Sequence, residues 1–386
     1  MTRREHETTS TPLRDVNAAT SFLLQDLASV QPERQKRYGY ERAAFAIFGL
    51  DEPLPAIWAH GALARPIFGV GPSSSRIIRE VMETGGSPTV EQAVDAAGKR
   101  AEIDKRRALQ TTFLSRSAVR TVLADASLPG PRLDDYRGDL QMHSDWSDGS
   151  MTIDELVRAC AGRGYRFSAV TDHSHGLPIA GGVSMADVAD QHRQIDDANS
   201  KSADFHLFKG IEANITADGL LDLSADEAAV FDLVLAAPHA KLRTADDQTA
   251  RMLTAIELPY TRILAHPRGR KAGTRAGVVV NWDRVFSRAA ELGVAIEIDG
   301  DPSRQDLDYT LARRALEAGC LFALDSDAHS PRELVYAETA IAHARLAGIP
   351  AERIVNCWHL DRFRQWLAAP SGIRRRRRAG ARRPAS

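Results

Sequence analysis

Residues 321–329 read LFALDSDAH, a short apolar run that ends in carboxylates and a histidine. A continuous apolar run of this length is typical of a strand buried on both faces of a parallel sheet. Six similar runs lie upstream, at 140–142, 167–170, 205–211, 233–237, 263–265 and 294–298. Helix-like segments at 151–163, 244–256, 282–292 and 309–318 separate several of them. The alternation predicts an α/β fold, either a parallel barrel or an open sheet.

Each apolar run ends in side chains that could bind a metal ion. Ligands in parallel α/β folds gather at the carboxyl ends of the strands, and five of the twelve histidines fall there. The ligand-type side chains at or near these ends are His143, Asp148, Asp172, His173, Glu212, His239, His266, Glu297, Asp299, Asp325, Asp327 and His329. Mixed histidine and carboxylate ligands favour zinc, manganese or iron. The set exceeds what one ion needs, so it predicts two or three ions and metal-assisted hydrolysis of a phosphoester.

The other histidines are predicted to have structural roles. His6 lies in the N-terminal tail, and His60, His175, His192, His206, His343 and His359 are expected on the surface or on helix faces.

Composition is that of an ordinary globular chain: 386 residues, 43% hydrophobic and 26% charged. The three cysteines fit no zinc or disulfide spacing, which favours a reducing compartment. Seven arginines and no acid fall in residues 370–386, and the rest carries 43 basic and 51 acidic residues. Because the chain is not basic overall, any binding of phosphate groups must come from a local cluster of basic residues. With no apolar stretch for a signal peptide or a membrane helix, we expect a soluble, cytoplasmic protein without membrane contact.

The chain divides at Pro129-Gly130-Pro131, where the helical texture of the first third ends. We expect a disordered tail at 1–14, a helical domain at 15–90, and a charged helix and linker at 91–136. Residues 137–368 would form the α/β domain, and 369–386 a disordered arginine-rich tail. Pro72 is expected in the first turn of a helix, directly after two glycines.

The strand-end motifs resemble the polymerase and histidinol phosphatase (PHP) domain. They are DLQMHS at 139–144, SDG at 147–149, TDH at 171–173, GIEANI at 210–215, His239, HP at 266–267 and DAH at 327–329. The HPRGR sequence at 266–270 is most similar to the PHP domain of bacterial family X DNA polymerases. The resemblance implies a distorted (β/α)7 barrel with a trinuclear zinc or manganese site.

The resemblance also implies how the ligands would be shared. Glu212 would bridge two ions. His143 and Asp327 would complete the first ion, His239 and His266 the second, and Asp148, His173 and His329 would hold the third. Gln141 stands where many relatives have a histidine, and an amide oxygen is a poorer zinc ligand than imidazole.

Residues 40–44 and 67–84 are similar to the N-terminal domain of family X polymerases. This implies a small all-α domain containing a helix-hairpin-helix. Backbone N–H groups at Gly69, Val70, Gly71 and Ser73 would there contact a DNA phosphate. The usual lysine after the hairpin is missing. Only residues 91–136 separate the two similar regions, too few for a nucleotidyl-transferase core, so we expect no DNA polymerisation.

The favoured function is a metal-dependent phosphoesterase acting on nucleic-acid ends, as a 3′-5′ exonuclease or 3′-phosphatase in DNA repair. Arg268, Arg270 or Lys241 would bind a phosphate oxygen, and Asp172 or Asp299 would orient ligands or move a proton. The first alternative is a phosphatase of small monoesters such as histidinol phosphate or a nucleotide. The second is a non-catalytic DNA-binding scaffold held by the arginine tail. For the favoured function the predicted partner is a DNA or nucleotide substrate, and no protein partner is predicted.

Overall fold

The structure is a computed structural model, and it describes residues 15–369. The predicted tail at 1–14, and all but the first residue of the predicted tail at 369–386, lie outside the described residues. The chain forms two compact units. The first contains the residues up to Gln110 together with Leu114–Thr121, and the second contains Thr111–Phe113 and the residues from Val122 onward.

The first unit is mainly helical. Its helices are α1 (Val16–Ser29), α2 (Arg34–Phe48), α3 (Pro72–Thr84), α4 (Pro88–Ala96), α5 (Arg100–Ala108) and the start of α6 (Arg116–Ala124). Side chains such as Leu24, Ile47, Ile78 and Val94 form its buried core. A two-residue hairpin, β1 (Trp58–Ala59) with β2 (Ala62–Leu63), interrupts the helices. The resemblance implies an all-α domain, but this unit also contains the short hairpin. The turn at Gly61 folds the segment back on itself.

The second unit is built on a parallel sheet of six strands. They are β3 (Phe167–Val170), β4 (His206–Asn214), β5 (Leu233–Ala237), β6 (Thr261–Leu264), β7 (Ala295–Asp299) and β8 (Leu321–Asp325), paired in sequence order. The helices that precede, separate and follow these strands are α7 (Ile153–Gly162), α8 (Met185–Ser200), α9 (Ala225–Ala228), α10 (Thr249–Glu257), α11 (Trp282–Leu292), α12 (Tyr309–Glu317), α13 (Ala337–Ala347) and α14 (Leu360–Ala368). The predicted α/β class with parallel strands is confirmed.

An extended segment, residues 138–143, lies between the two edge strands and curls the sheet into a barrel. On one side Ala169 N and Thr171 N donate to the carbonyls of Asp139 and Met142, at 2.9 and 2.8 Å. On the other side Met142 forms a parallel bridge with Ala328. The run predicted as a strand at 140–142 is thus irregular, because side chains replace part of its ladder. Leu140 N, for example, donates to Asp325 Oδ1 at 2.8 Å.

The two ends of the barrel differ in character. At the amino ends of the strands, α14 packs Phe363 against Phe167, with ring centroids 4.7 Å apart. Trp366 packs beside Phe363, and its indole N–H donates to the carbonyl of Gly293 at 2.9 Å. This end is therefore filled by apolar side chains, and the polar residues that follow the strands lie at the opposite end.

Candidate metal centre

The carboxyl ends of the barrel strands bring the ligand-type side chains together. Glu212 lies within β4. The others lie at or after the ends of their strands: His143 at the end of the extended segment, His173 after β3, His239 after β5, His266 after β6, and Asp327 and His329 after β8. Because all the strands are parallel, these segments emerge at the same end of the barrel. Residues from six parts of the chain therefore share one site.

The carboxylate of Glu212 is the centre of this site and is fully buried. Its Oε1 lies 2.7 Å from His266 Nε2 and 3.4 Å from His239 Nε2. Its Oε2 lies 2.9 Å from His173 Nδ1 and 3.6 Å from His143 Nε2. Each oxygen thus faces two imidazoles, which is the arrangement that a bridging carboxylate between two ions requires.

Two groups of ligand atoms converge closely enough to hold an ion. One group is His143, Asp148, His173 and His329, and the other is His173, Glu212 and His239; within each group the ligand atoms lie within 4.8 Å of one another. Several of these buried atoms, Glu212 Oε2 and His239 Nε2 among them, make no hydrogen bond within residues 15–369. Imidazole and carboxylate donors suit a borderline divalent cation, so the residues fit the ions that the resemblance implies.

Beyond the two ligand groups, which form two corners of the site, the third corner is the region around Asp327. It differs from the other two because an arginine contacts its carboxylate. His143 Nε2 lies 3.1 Å from Asp327 Oδ1, and the other oxygen of Asp327 lies 3.1 Å from Arg304 Nη1. Gln141 is fully buried, and neither atom of its amide has a hydrogen-bond partner within residues 15–369. The structure therefore joins eight of the nine predicted ligands in one cluster around Glu212, whereas for Gln141 it shows a buried amide without a side-chain partner among residues 15–369. It also adds Arg304, which is not among the predicted ligands or phosphate-binding residues because it directly follows no apolar run.

The backbone is strained at two of the candidate ligands. His266 has a φ of 24° and Asp327 a φ of 53°, in the region that glycine favours. Strained residues persist where the surrounding fold over-determines them, and they are concentrated at functional sites. No sequence pattern signals such positions, because neither residue is a glycine.

Hydrogen bonds from neighbouring groups fix the rings of several histidines. His239 Nδ1 bonds to Asn214 Oδ1, which leaves Nε2 towards Glu212. His329 Nδ1 bonds to the carbonyl of Asp327 at 2.8 Å, which leaves Nε2 3.3 Å from Asp148 Oδ1. Partners of this kind set the orientation and basicity of metal-binding histidines.

The charges of the site favour cation binding. Burial would raise the pKa of Glu212, but the charges of His173 and His239 outweigh burial and bring this pKa well below its usual value. Burial lowers the pKa of His266. Burial also acts to lower the pKa of His329, but its hydrogen bond to Asp148 raises the value to about 9. An ion binding here would find Glu212 ionised and His266 neutral, and would release a proton from His329.

Asp172, predicted to orient ligands or move a proton, is buried beside the loop that carries Asp148. Its carboxylate accepts hydrogen bonds from Ser144 N at 2.7 Å, Ser144 Oγ at 2.6 Å and Ser147 Oγ at 2.5 Å. Gln191 Nε2 adds a fourth at 2.6 Å. These contacts assign Asp172 to holding the 144–148 loop in place.

The predicted phosphate-binding side chains are placed unequally. Arg270 is only 3% exposed, and its guanidinium donates to the carbonyls of Arg304 and Gln305 and to Thr112 and Asp308. Arg268 Nη1 donates to Asp308 Oδ2 at 2.7 Å. Lys241 is exposed in the loop after β5. Because its donors are used within the protein, Arg270 supports a loop instead of facing a substrate.

The predicted DNA-contacting residues lie at the start of α3 in the first unit. Gly69 has a φ of 90°, Gly71 precedes the helix, and Ser73 is exposed in its first turn. A groove of about 420 Å³ lies beside them, and Arg65 and Arg79 are among its lining residues. The element before this loop is the β1–β2 hairpin and not a helix, so contact with DNA by a helix-hairpin-helix stays a prediction.

No family model matches the chain. It is 34% identical over 236 residues to the DNA polymerase/3′-5′ exonuclease PolX of Bacillus subtilis. This match covers 61% of this chain and 41% of that protein. The chain thus spans about two fifths of that relative. It is 28% identical over 229 residues to a probable phosphatase of Syntrophotalea carbinolica, and 27% identical over 216 residues to one of Thermoanaerobacter sp.. These matches cover 56% and 53% of this chain and 90% and 83% of those proteins.

Among solved structures, histidinol phosphate phosphatase from Lactococcus lactis, complexed with zinc, L-histidinol and phosphate, matches with a TM-score of 0.40 at 15% identity. The match covers 53% of this chain and 92% of that chain. By sequence the chain is a homologue of PolX of Bacillus subtilis and of the probable phosphatases, and the resemblance that the strand-end motifs predict is confirmed. Within residues 15–369 every helix is too short or too polar to traverse a bilayer.

Proposed function

We propose that this protein is a metal-dependent phosphoesterase whose metal centre is the ligand cluster around Glu212. The observation that carries the proposal is the buried Glu212 carboxylate, which faces two imidazoles at each of its oxygens. Without a bound cation this arrangement of ligands would lower the stability of the fold, because several of the buried polar atoms would have no partner.

Zinc and manganese are the ions that the donor set suits best, with iron as a third candidate. Asp148, His143, His173 and His329 would hold one ion, and Glu212, His239 and His266 another. When bound, such ions polarise a phosphoryl oxygen and lower the pKa of water. The protein's own groups orient the ligands, with Asn214 fixing His239 and Asp172 fixing the loop of Asp148.

The preferred substrate is the 3′ end of a nucleic acid, cleaved as by a 3′-5′ exonuclease or a 3′-phosphatase. Support comes from the relative in Bacillus subtilis, whose name includes a 3′-5′ exonuclease. Gly71 and Ser73, which are exposed, and the groove beside them offer backbone N–H groups and arginines to a phosphate backbone, whereas the Val70 N–H already donates to the carbonyl of Ile67 at 3.0 Å. A role in DNA repair would follow from this substrate.

The test is a paired assay on purified, manganese-loaded protein. A labelled single-stranded DNA and a panel of phosphomonoesters are incubated side by side with wild type, His173→Ala and His175→Ala. His175 is a matched control because it lies two residues away, is 42% exposed and belongs to neither ligand group. Wild type and His175→Ala should shorten the DNA, and His173→Ala should lose at least about 100-fold of the rate. Equal rates in all three proteins would contradict the proposal.

The alternative substrate is a small phosphomonoester, favoured by the relatives named as probable phosphatases. Release of phosphate from monoesters, with intact DNA, would select it. A non-catalytic DNA-binding scaffold is the third candidate. It would be selected by salt-sensitive DNA binding that depends on residues 370–386 and by no hydrolysis with either metal.

A further inference from the structure

The three corners of the ligand cluster differ in charge, because the corner around Asp327 contains the guanidinium group of Arg304. We propose that the centre binds two divalent ions and not three, and that Arg304 supplies a fixed positive charge at the third corner, where it binds a phosphate oxygen of the substrate. The phosphate contact rests on the function proposed above, whereas the number of ions does not.

Two corners offer complete sets of ligands. In the first, Asp148 Oδ1 lies 3.3 Å from His329 Nε2, 3.7 Å from His173 Nε2 and 3.9 Å from His143 Nδ1. In the second, the carboxylate of Glu212 lies within 3.4 Å of His173, His239 and His266. Each carboxylate faces three imidazoles, His173 being shared between the two sets, and in neither set does an arginine contact the carboxylate within the described part of the chain.

The third corner lacks an equivalent set. Asp327 belongs to neither of the two convergent groups found among the described residues. One of its oxygens contacts His143 and the other contacts Arg304, each at 3.1 Å. Gln141, which only the resemblance places among the ligands, is a buried neutral amide. A cation at this corner would have to share Asp327 with a guanidinium that is always protonated.

Arg304 is held at this corner by buried hydrogen bonds to its own carbonyl and to the residue that follows it. Its carbonyl accepts a hydrogen bond from Arg270 Nε at 2.9 Å, and the next carbonyl, of Gln305, accepts one from Arg270 Nη2 at 2.6 Å. The side chain of Gln305 bonds to His343 Nε2 at 2.8 Å. This explains why Arg270 and His343 are buried beneath the site, since both fix the loop that presents Arg304.

The Arg304 guanidinium faces carboxylates on one side and solvent on the other. Besides Asp327, Asp299 Oδ2 lies 3.9 Å from Nη1 and Asp301 Oδ2 lies 3.7 Å from Nε. The side chain is nevertheless 26% exposed, so a ligand can reach it. A planar fork of N–H donors beside two cations is suited to the non-bridging oxygens of a phosphate.

The number of ions is measured by elemental mass spectrometry on protein stripped with a chelator, reloaded with excess manganese and desalted. Wild type should retain two ions per chain. Gln141→His should also retain two, because Arg304 remains, and Gln141→His with Arg304→Gln should retain three. The matched control is Gln141→His with Arg314→Gln, an arginine paired with Asp283 on the surface, which should retain two. Three ions in wild type or in Gln141→His, or two in the double variant with Arg304→Gln, would overturn the proposal.

The phosphate contact is measured by calorimetry with inorganic phosphate on the manganese-loaded proteins. Arg304→Gln should bind phosphate at least about tenfold more weakly than wild type, and Arg304→Lys should recover only part of the loss. Circular dichroism confirms folding of each variant, and the lysine variant keeps the test informative if the glutamine variant unfolds. Unchanged phosphate affinity in both would refute the contact. Neither measurement needs turnover, so a protein with two ions and no hydrolysis would refute the proposed function alone.

Discussion

His343 is a buried histidine that lies outside the metal centre and is held in one protonation state. Its Nδ1 accepts a hydrogen bond from Tyr309 N at 3.1 Å, and its Nε2–H donates to Gln305 Oε1. Burial, with the charge of Arg270 nearby, lowers its pKa to about 3, although Asp308 acts in the opposite direction. The sequence predicts a surface or helix-face histidine here; the residue lies on α13 but is fully buried.

This residue should make the free energy of unfolding depend on pH. An unfolded chain protonates histidine below a pKa of about 6.5, while His343 in the fold stays neutral to about pH 3. Between these values the unfolded state binds the extra proton, so stability should fall by up to about 1.4 kcal/mol for each unit that the pH decreases.

Urea unfolding at several pH values measures this slope. His343→Asn retains an acceptor for Tyr309 N and should have a shallower slope than wild type between pH 6.5 and 4. His359→Asn, at an exposed position, should keep the wild-type slope. Parallel slopes in wild type and His343→Asn would contradict the assignment.

Residue type alone does not separate ligands from the residues that support them. Asp148 and Asp172 both follow apolar runs. The carboxylate of Asp172 accepts four hydrogen bonds from neighbouring side chains and backbone, whereas the carboxylate of Asp148 faces three histidines. Arg270 and Arg304 likewise differ only in burial and partners. The sequence predicted which residues gather here, because that follows from strand ends, but the role of each depends on side-chain contacts that a linear pattern does not contain.

Among the elements, the irregular segment 138–143 closes the barrel only because a glycine begins it. A Cβ on Gly138 would lie 1.6 Å from the carbonyl oxygen of Phe167. Since that oxygen belongs to β3, the edge strand cannot move without breaking its pairing with β4. The close approach of two backbones is the physical reason for glycine at this position.

Gly138→Ala should therefore destabilise the protein by at least about 3 kcal/mol, because the barrel seam must open to accept the methyl group. Gly162→Ala, at the end of α7, is the matched control. Apart from the chain neighbours and the backbone of α7 itself, no atom of residues 15–369 lies within 4 Å of the added Cβ, and the change should stabilise by about 0.5–1 kcal/mol. Chemical denaturation of the three proteins compares them. Similar midpoints for Gly138→Ala and wild type would show that the seam tolerates a side chain.

Elements with strong local signals were predicted well. The runs at 167–170 and 233–237 coincide with β3 and β5, and 282–292 coincides with α11. The run at 140–142 did not become a regular strand, because the carboxylates of Asp139 and Asp325 take backbone N–H groups that a strand ladder would use. Such competition between side chain and backbone depends on residues far apart in the chain, which local periodicity does not reveal.

At the scale of the whole molecule, the candidate metal ligands and the N-terminal helices belong to different compact units. All nine ligands lie between residues 141 and 329 of the second unit. A ligand that binds only the folded state stabilises it by about 2.7 kcal/mol at one hundred times its dissociation constant. That stabilisation should act on the unit that contains the ligands.

We therefore expect manganese or zinc to slow amide hydrogen exchange in the second unit and to leave the first unit unchanged. Mass spectrometry of peptides from residues 138–369 should show increased protection in the presence of metal, most of all around Glu212 and Asp327, whose segments meet at the site. Peptides from 16–108 should exchange at the same rate with and without metal. Glu212→Gln, which removes the charge that faces four imidazoles, should abolish the difference. Equal protection of both units would mean that they unfold as one cooperative body, and protection that survives Glu212→Gln would place the metal elsewhere.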